Sequence, residues 1–347
     1  MIFNSRDVIT IGSATFDAFL KTNLPLIFSE SSPTKKAFYL DFGSKLHCDD
    51  AFFSVGGNAM NAAVTFSRQG LEVAPMIVLG DDEAADLVLS RIAEEGIDSG
   101  LVSFTDKRST SFSTVILQAG ERTLLNYKGA GEFLEIPDFS SALRASWWYV
   151  SLPGKSYKYF PKVVEMARKN GIKLAFNPTL YHINEGKQAI LKNLKYIDFF
   201  VVNTEEAAVL TDTRVSDRDA AFERLNKLSK GIIAITAGSE GSIISDGERI
   251  YKVPIFKTKK FVDRTGAGDA FASGFVSGLI HKKEKCVRGK IKPENILHSA
   301  RLASANAVSV VEGIGASVSA LHKNGLKSSR FDNLKITVKE IKKTNKK

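Results

Sequence analysis

The sequence is short of the residues that mark a disulfide scaffold or a metal cage. Its 347 residues include two cysteines, Cys48 and Cys286, and five histidines. The cysteines are far apart and make no CxxC pair. The histidines, at 47, 182, 281, 298 and 322, have no ligand spacing. Neither a disulfide framework nor a zinc site is therefore indicated. Long apolar runs are lacking too. The longest, from Ala270 to Ile280, is broken by glycine and serine and is too short to cross a bilayer. The opening MIFNSRDVITIGS has no basic stretch followed by an apolar core, so it does not read as a secretory signal. A soluble, cytoplasmic protein without a membrane partner is expected. The nine prolines nowhere gather into a linker, and there is no internal repeat.

Negative charge is in short supply. Lys and Arg number 48 against 38 Asp and Glu, a formal net charge of +10. Much of the excess sits in HKKEKCVRGKIK (281–292) and in KITVKEIKKTNKK at the C-terminus. These segments lack interleaved aromatics and accompany no DNA-binding motif. They read as solvated surface and tail, with no nucleic-acid partner. The positive field suits an anionic substrate such as a nucleotide.

What is present is a globular composition, 44% hydrophobic and 25% charged, and a rhythm. Apolar runs of strand length (8–13, 74–80, 147–151, 172–177, 198–203, 231–238) alternate with helical patterns (59–70, 81–96, 156–170, 186–193, 204–211, 217–229). That alternation predicts a mostly parallel, doubly wound α/β sheet covered on both faces. Two stretches, 36–55 and 101–128, hold strand-like runs without helices between them and predict a small β lid. Residues 242–260 read as a hairpin turning at Asp246-Gly247. One domain over 1–330 is expected, followed by a dispensable basic tail over 331–347.

Ligands of such folds bind beyond the carboxyl ends of the strands, and five segments stand out there. IGSATFD ends the first strand and places Asp17 just past it, as a hydroxyl acceptor or a turn residue. SVGGNAMNAAV pairs Gly56-Gly57 with Asn58 and Asn61 on one helix face; it suits substrate hydroxyls, or a glycine turn with an Asn cap. VVNTEEAAVLT sets Asn203 and Glu206 three apart, which suits hydrated Mg²⁺ or a capping box. ITAGSEGSII offers Thr236, Gly238 and Gly241 along a turn beside a nucleotide. Finally, DRTGAGDAF puts Gly266, Ala267 and Gly268 at the start of a helix, where free N–H groups make an anion site, and seats Asp269 among them. A cap alone leaves the three small residues unexplained. A base beside a held phosphoryl group explains both. The helix N-terminus should lower the pKa of Asp269, which is tolerable because positioning carries most of the rate in phosphoryl transfer.

In this order the motifs resemble the ribokinase (PfkB) family of sugar and nucleoside kinases, over about residues 6 to 322. GGNAMNAAVTFSRQG and DRTGAGDAF are similar to its two signatures, with NTEE and TAGSEG matching weaker motifs. The resemblance implies ATP and Mg²⁺, Asp269 as catalytic base, and Gly266, Ala267 and Gly268 as anion hole. It implies Asn203 and Glu206 organising Mg²⁺ and phosphate through water, Thr236, Gly238 and Gly241 at the nucleotide, and Asp17, Gly56, Gly57 and Asn61 on acceptor hydroxyls. It further implies a K⁺ site at Asp263 with backbone from 305–315, and a homodimer through the lid. Two departures stand out. Arg264 replaces a small residue or proline, and Thr15, with bulky Phe16 beside it, replaces the Asn of ribose kinases. SANAVSVVEGIGAS (304–317) is closer to nucleoside-phosphorylating members, and Phe16 and Phe112 are candidates to face a base. The expected function is phosphoryl transfer from ATP to a sugar hydroxymethyl group, with a nucleoside kinase as the alternative. A non-catalytic sensor would lack Asp269 or its glycines, and all are present. GSATFD lacks GxGxxG, which sets aside a nicotinamide dehydrogenase.

Overall fold

A computed structural model describes residues 6–30, 35–118, 121–284, 286 and 290–341. Residues 1–5, part of the basic 281–292 segment and the last six residues lie outside this set. In chain order the elements are β1 (Arg6–Ile11), β2 (Thr15–Lys21), β3 (Leu26–Phe28), β4 (Lys36–Phe38), β5 (Asp50–Gly56), α1 (Asn58–Arg68), β6 (Val73–Leu79), α2 (Glu83–Glu94), β7 (Val102–Phe104), β8 (Phe112–Gln118) and β9 (Glu121–Tyr127). There follow β10 (Ala145–Val150), α3 (Phe160–Lys169), β11 (Lys173–Phe176), α4 (Leu180–Asn193), β12 (Phe199–Asn203), α5 (Thr204–Thr211), α6 (Arg218–Leu228) and β13 (Ile232–Thr236). The chain closes with β14 (Ser242–Ser245), β15 (Arg249–Val253), α7 (Ala267–His281), α8 (Pro293–Val311) and β16 (Thr337–Glu340).

Among the described residues, ten strands form the main sheet in the order β16-β15-β14-β13-β12-β11-β10-β1-β6-β7. From β13 to β7 every pairing is parallel, and the last three strands at the other edge run antiparallel. Neighbouring residues serve opposite faces, as the pleat requires. Trp147, Phe199 and Val201 pack under α1, α7 and α8, while Trp148, Phe200 and Val202 pack under α3 to α6. Burial on both sides explains why these strands are unbroken apolar runs.

Local chemistry sets the helix ends. Asp82 caps α2 by accepting from Ala85 N–H at 3.0 Å, and Glu83 and Asp86 lie in its first turn, where the macrodipole favours acids. Gly70, at φ +76°, ends α1 in the left-handed conformation. The small residues of α7 let it meet α8 closely. A Cβ on Gly278 would lie 2.6 Å from the Ser299 Cα.

Four sequence expectations are corrected. The lid is a four-stranded sheet, β5-β2-β8-β9, so Asp17 lies within a lid strand and not in a turn. The pairing of residues 36–38 is with 26–28, in a separate exposed hairpin. Residues 102–104 extend the main sheet beside β6. The tail is part of the fold as far as residue 340, because β16 pairs with β15 at the sheet edge. The hairpin expected at Asp246-Gly247 is present as β14 and β15.

Candidate active site

The loops at the carboxyl ends of the parallel strands carry the site. β1 and β10 end beneath α1. Asn58 donates to the Ser151 hydroxyl at 2.8 Å, and the Asn58 N–H reaches the Ser13 hydroxyl at 3.2 Å. Gly57 permits this approach at φ +93°, since a Cβ would sit 2.6 Å from the Ser13 carbonyl oxygen. One turn on, Asn61 donates its Nδ2 to Asp269 Oδ2 at 2.9 Å. Asn61 is buried, and its Oδ1 has no hydrogen-bond partner among the described residues.

Asp269 sits in the first turn of α7. Gly266 precedes the helix at φ +75°, and a Cβ there would fall 2.1 Å from the Ala316 carbonyl oxygen. Gly268 faces open space. The Ala267 N–H makes only a long 3.3 Å turn contact to the Arg264 carbonyl, so this helix start keeps donor capacity for an anion. Burial pushes the Asp269 carboxyl up to about 6, against the lowering bond from Asn61. The lowering expected from the helix terminus is thus overridden by desolvation.

Two sets of cavities meet at this loop. A cavity of about 330 Å³ lies under the lid and is lined by Asp17, Gly57, Asn58, Asn61, Gly266 and Asp269 among others. On the other side, a cavity of about 370 Å³ is lined by Thr236, Gly238, Gly241, Ala267, Gly268 and the α8 residues Ser304, Ala307, Val308 and Val311. It adjoins a wider one, of about 820 Å³, that shares Thr236 and Gly238 with it and is lined by Asn203 and Glu205. Arg264 lines both of these latter cavities. The 304–311 part of the run read as nucleoside-like therefore borders the side away from the lid. Only Ala316 of that run touches the lid-side cavity.

The inner face of the lid is mostly polar. Asp17, Ser113 and Asn126 share one register row. Asn126 donates to the Ser113 hydroxyl at 3.2 Å, and Ser113 in turn hydrogen-bonds Asp17. Burial pushes the Asp17 carboxyl up to about 6. Gly56 leaves room for it, since a Cβ would lie 2.0 Å from Asp17 Oδ2. The structure corrects a further expectation, that Phe16 and Phe112 face a base. They alternate with Asp17 and Ser113, and so lie on the outer face, where Phe16 stacks on Phe53 with ring centroids 5.8 Å apart.

Asn203 and Glu206 form a reciprocal capping box at the start of α5, at 2.8 and 2.9 Å. Burial pushes the Glu206 carboxyl up to about 7, and the nearby Asp269 charge adds to the rise. Asp263 is buried. Its Oδ1 accepts from the Thr265 N–H and hydroxyl at 3.0 and 2.7 Å, and its Oδ2 is unpartnered among the described residues. Arg122 of the lid pairs with Oδ1 at 3.2 Å and also donates to the Thr265 hydroxyl.

Sequence reasoning did not single out Arg122, Ser113, Asn126 or Lys128. The signal was there. Arg122, Leu124 and Asn126 alternate along β9 and so share its inner side, and Lys128 continues the alternation just past the strand's end.

A doubly wound sheet, a β lid and two cavities joined by a glycine-bounded helix start define a ribokinase-fold phosphotransferase. The solved structure of Arabidopsis thaliana ribokinase complexed with ribose and ATP matches with a TM-score of 0.74 at 20% identity, over 95% of this chain and 99% of that one. Adenosine kinase from Sinorhizobium meliloti matches with a TM-score of 0.69 at 22% identity, over 90% and 95%. In sequence, ribokinase of Haemophilus influenzae is 26% identical over 235 residues, which cover 66% of this chain and 75% of the relative. The model of the pfkB family carbohydrate kinases matches residues 28–324, and the chain belongs to that family. It is an ATP-dependent carbohydrate or nucleoside kinase. No described helix is long and apolar enough to cross a membrane.

Proposed function

We propose that the protein transfers the γ-phosphoryl group of ATP to a hydroxymethyl group of a sugar bound under the lid. The observation that carries this is the Gly266–Asp269 loop, which fronts a lid-side cavity with Gly266 and Asp269 and a second cavity with Ala267 and Gly268. The acceptor hydroxyl attacks the γ-phosphorus, the bond to the ADP oxygen breaks, and Asp269 takes the hydroxyl proton. The first-turn N–H groups of α7 hold the phosphoryl oxygens as charge shifts toward ADP. Asp17 and the orphaned Oδ1 of Asn61 hold acceptor hydroxyls, with Gly56 and Gly57 making room.

Thr236, Gly238, Gly241 and Asn203 flank the nucleotide, and Arg264 reaches toward its phosphates. Glu206, a half-buried carboxylate near Asp269, suits Mg²⁺ held through water; that ion would offset charge on the phosphates. The unpartnered Oδ2 of Asp263 suits K⁺. Equal activity in K⁺ and in a bulky organic cation would remove that assignment.

The polar inner lid favours a sugar over a nucleoside, because the lid's own aromatics, Phe16 and Phe112, face away from the cavity. The test is ADP release with Mg-ATP across ribose, fructose, sugar acids, sugar phosphates and nucleosides, with Asp269→Asn as the blank. Transfer to nucleosides alone would overturn the sugar assignment. The outer lid exposes Phe53, Leu125 and Tyr127, which supports a homodimer through the lid. Sedimentation should give twice the chain mass, and Phe53→Asp should shift it toward monomer.

A further inference from the structure

We infer that the acceptor is an anionic sugar whose charged group, a carboxylate or a phosphate, is read by Lys128. This rests on the lid-side cavity being the acceptor site. Lys128 lines that cavity just past the end of β9. Its backbone is fixed, since its carbonyl accepts from the Ser111 hydroxyl at 2.6 Å. Its ammonium lies 4.2 Å from the ring centroid of Tyr181, which lines the same cavity. A ring face holds an ammonium without neutralising it. Among the described residues no carboxylate comes within 4 Å of Lys128 to form an ion pair, and the charges of Glu185 and Glu132 are felt at the neighbouring Tyr181 hydroxyl.

The other charges of the cavity are Asp17 and Asp269, and they lie on the α1 side. Gly56 abuts Asp17 immediately before α1, and Asn61 of α1 bonds Asp269. Lys128 lies on the α4 side. In the lid, β8 separates β2 from β9, and Lys128 is two residues beyond the Asp17–Ser113–Asn126 row. Two strand spacings and two residues put the Asp17 and Lys128 backbones about 12 Å apart. The cavity is therefore polarised. Carboxylates hold hydroxyls and take the proton at one end, and an ammonium with no ion-pair partner stands at the other. A neutral sugar would leave that ammonium to water. An anionic sugar would pair with it and be oriented, its hydroxyl end toward Asp269.

The test compares the full chain with Lys128→Gln and Lys128→Arg on 2-keto-3-deoxygluconate, fructose 6-phosphate, fructose and ribose. Calorimetric titration of the two anionic sugars runs alongside. One anionic sugar should exceed both neutral sugars in kcat/KM, and Lys128→Gln should cut that preference by about tenfold or more through KM, as expected for a charge-assisted contact. Lys128→Arg should retain most of it. A response to the carboxylate alone names a sugar acid, and one to the phosphate alone a sugar phosphate. Preference for a neutral sugar overturns the inference while leaving the kinase assignment intact. So does an anionic preference that survives Lys128→Gln, or neither transfer to nor binding of either anionic sugar. Transfer to none of the four sugars, with adenosine and inosine, run beside them, phosphorylated instead, overturns the sugar reading itself.

Discussion

At the scale of single residues, the site keeps carboxylates where burial penalises their charge. Asp269 is the sharpest case, with its carboxyl raised to about 6. A base near this value is ionised at neutral pH and still takes a proton when the acceptor hydroxyl releases it. kcat/KM should therefore fall by about tenfold per pH unit below about 6. The same burial affects stability. The folded carboxyl binds its proton more tightly than the unfolded one, so stability is lost as pH rises between about 4 and 6, by about 1.4 kcal/mol for each pH unit of that window. Asp269→Asn keeps an acceptor for the Asn61 amide and removes the desolvated charge. It should lower turnover by about 10² to 10⁴-fold while raising the melting temperature at pH 8, with the gain vanishing at pH 4. Near wild-type turnover, or an unchanged melting point at pH 8, would count against this role. The residues of the motif were legible in the sequence because a glycine-bounded helix start with an acid has few uses. The sign of the pKa change was not, since desolvation depends on Asn61 and the lid closing over the position.

At the scale of elements, a helix terminus here combines two readings that the sequence leaves open. Asn203 and Glu206 do form a capping box, and the same Glu206 is raised to about 7 beside Asp269. Glu206→Gln retains an oxygen for the Asn203 N–H and so spares the cap. The helix should keep its stability, while the Mg²⁺ concentration for half-maximal rate should rise severalfold. An unchanged Mg²⁺ titration would reduce Glu206 to a capping role. The lid shows where element-level reading stops short. VITIGSATFDAFL is one apolar stretch in sequence, yet the chain leaves the main sheet after Ile11 and enters the lid at Thr15. Gly12-Ser13 marks the end of the first strand, but nothing local says that the next strand joins a different sheet. Only the pairing of Asp17 with Ser54 and Ser113 fixes which face the acid takes.

At the scale of the whole molecule, the β–α alternation announced the parallel sheet, because burial on both faces demands continuous apolar strands. The antiparallel edge was half visible. The 242–260 hairpin carries its own turn signal, whereas β16 lies in a basic segment (KITVKEIKK) whose charge suggests solvent. An exposed edge strand tolerates such charge, since its side chains face water while its backbone pairs. The segment leading to it is also anchored. Phe331 is 3% exposed and meets Phe256 edge-on, with ring centroids 5.0 Å apart. Leu334 is buried, and Arg330 pairs with Glu312. Phe256 follows Pro254 and Ile255, which line the cavity assigned to the nucleotide. Ending the chain at residue 330 removes Phe331, worth about 3–5 kcal/mol by analogy with buried Phe truncations, and uncovers the β15 edge. That variant should melt well below the full chain, bind ATP more weakly and aggregate on heating. Ending it after Ile341 keeps the β15–β16 pairing and should leave the melting temperature within about a degree, the size of an ordinary surface change. Equal melting of both truncations would return residues 331–341 to the status of a dispensable tail.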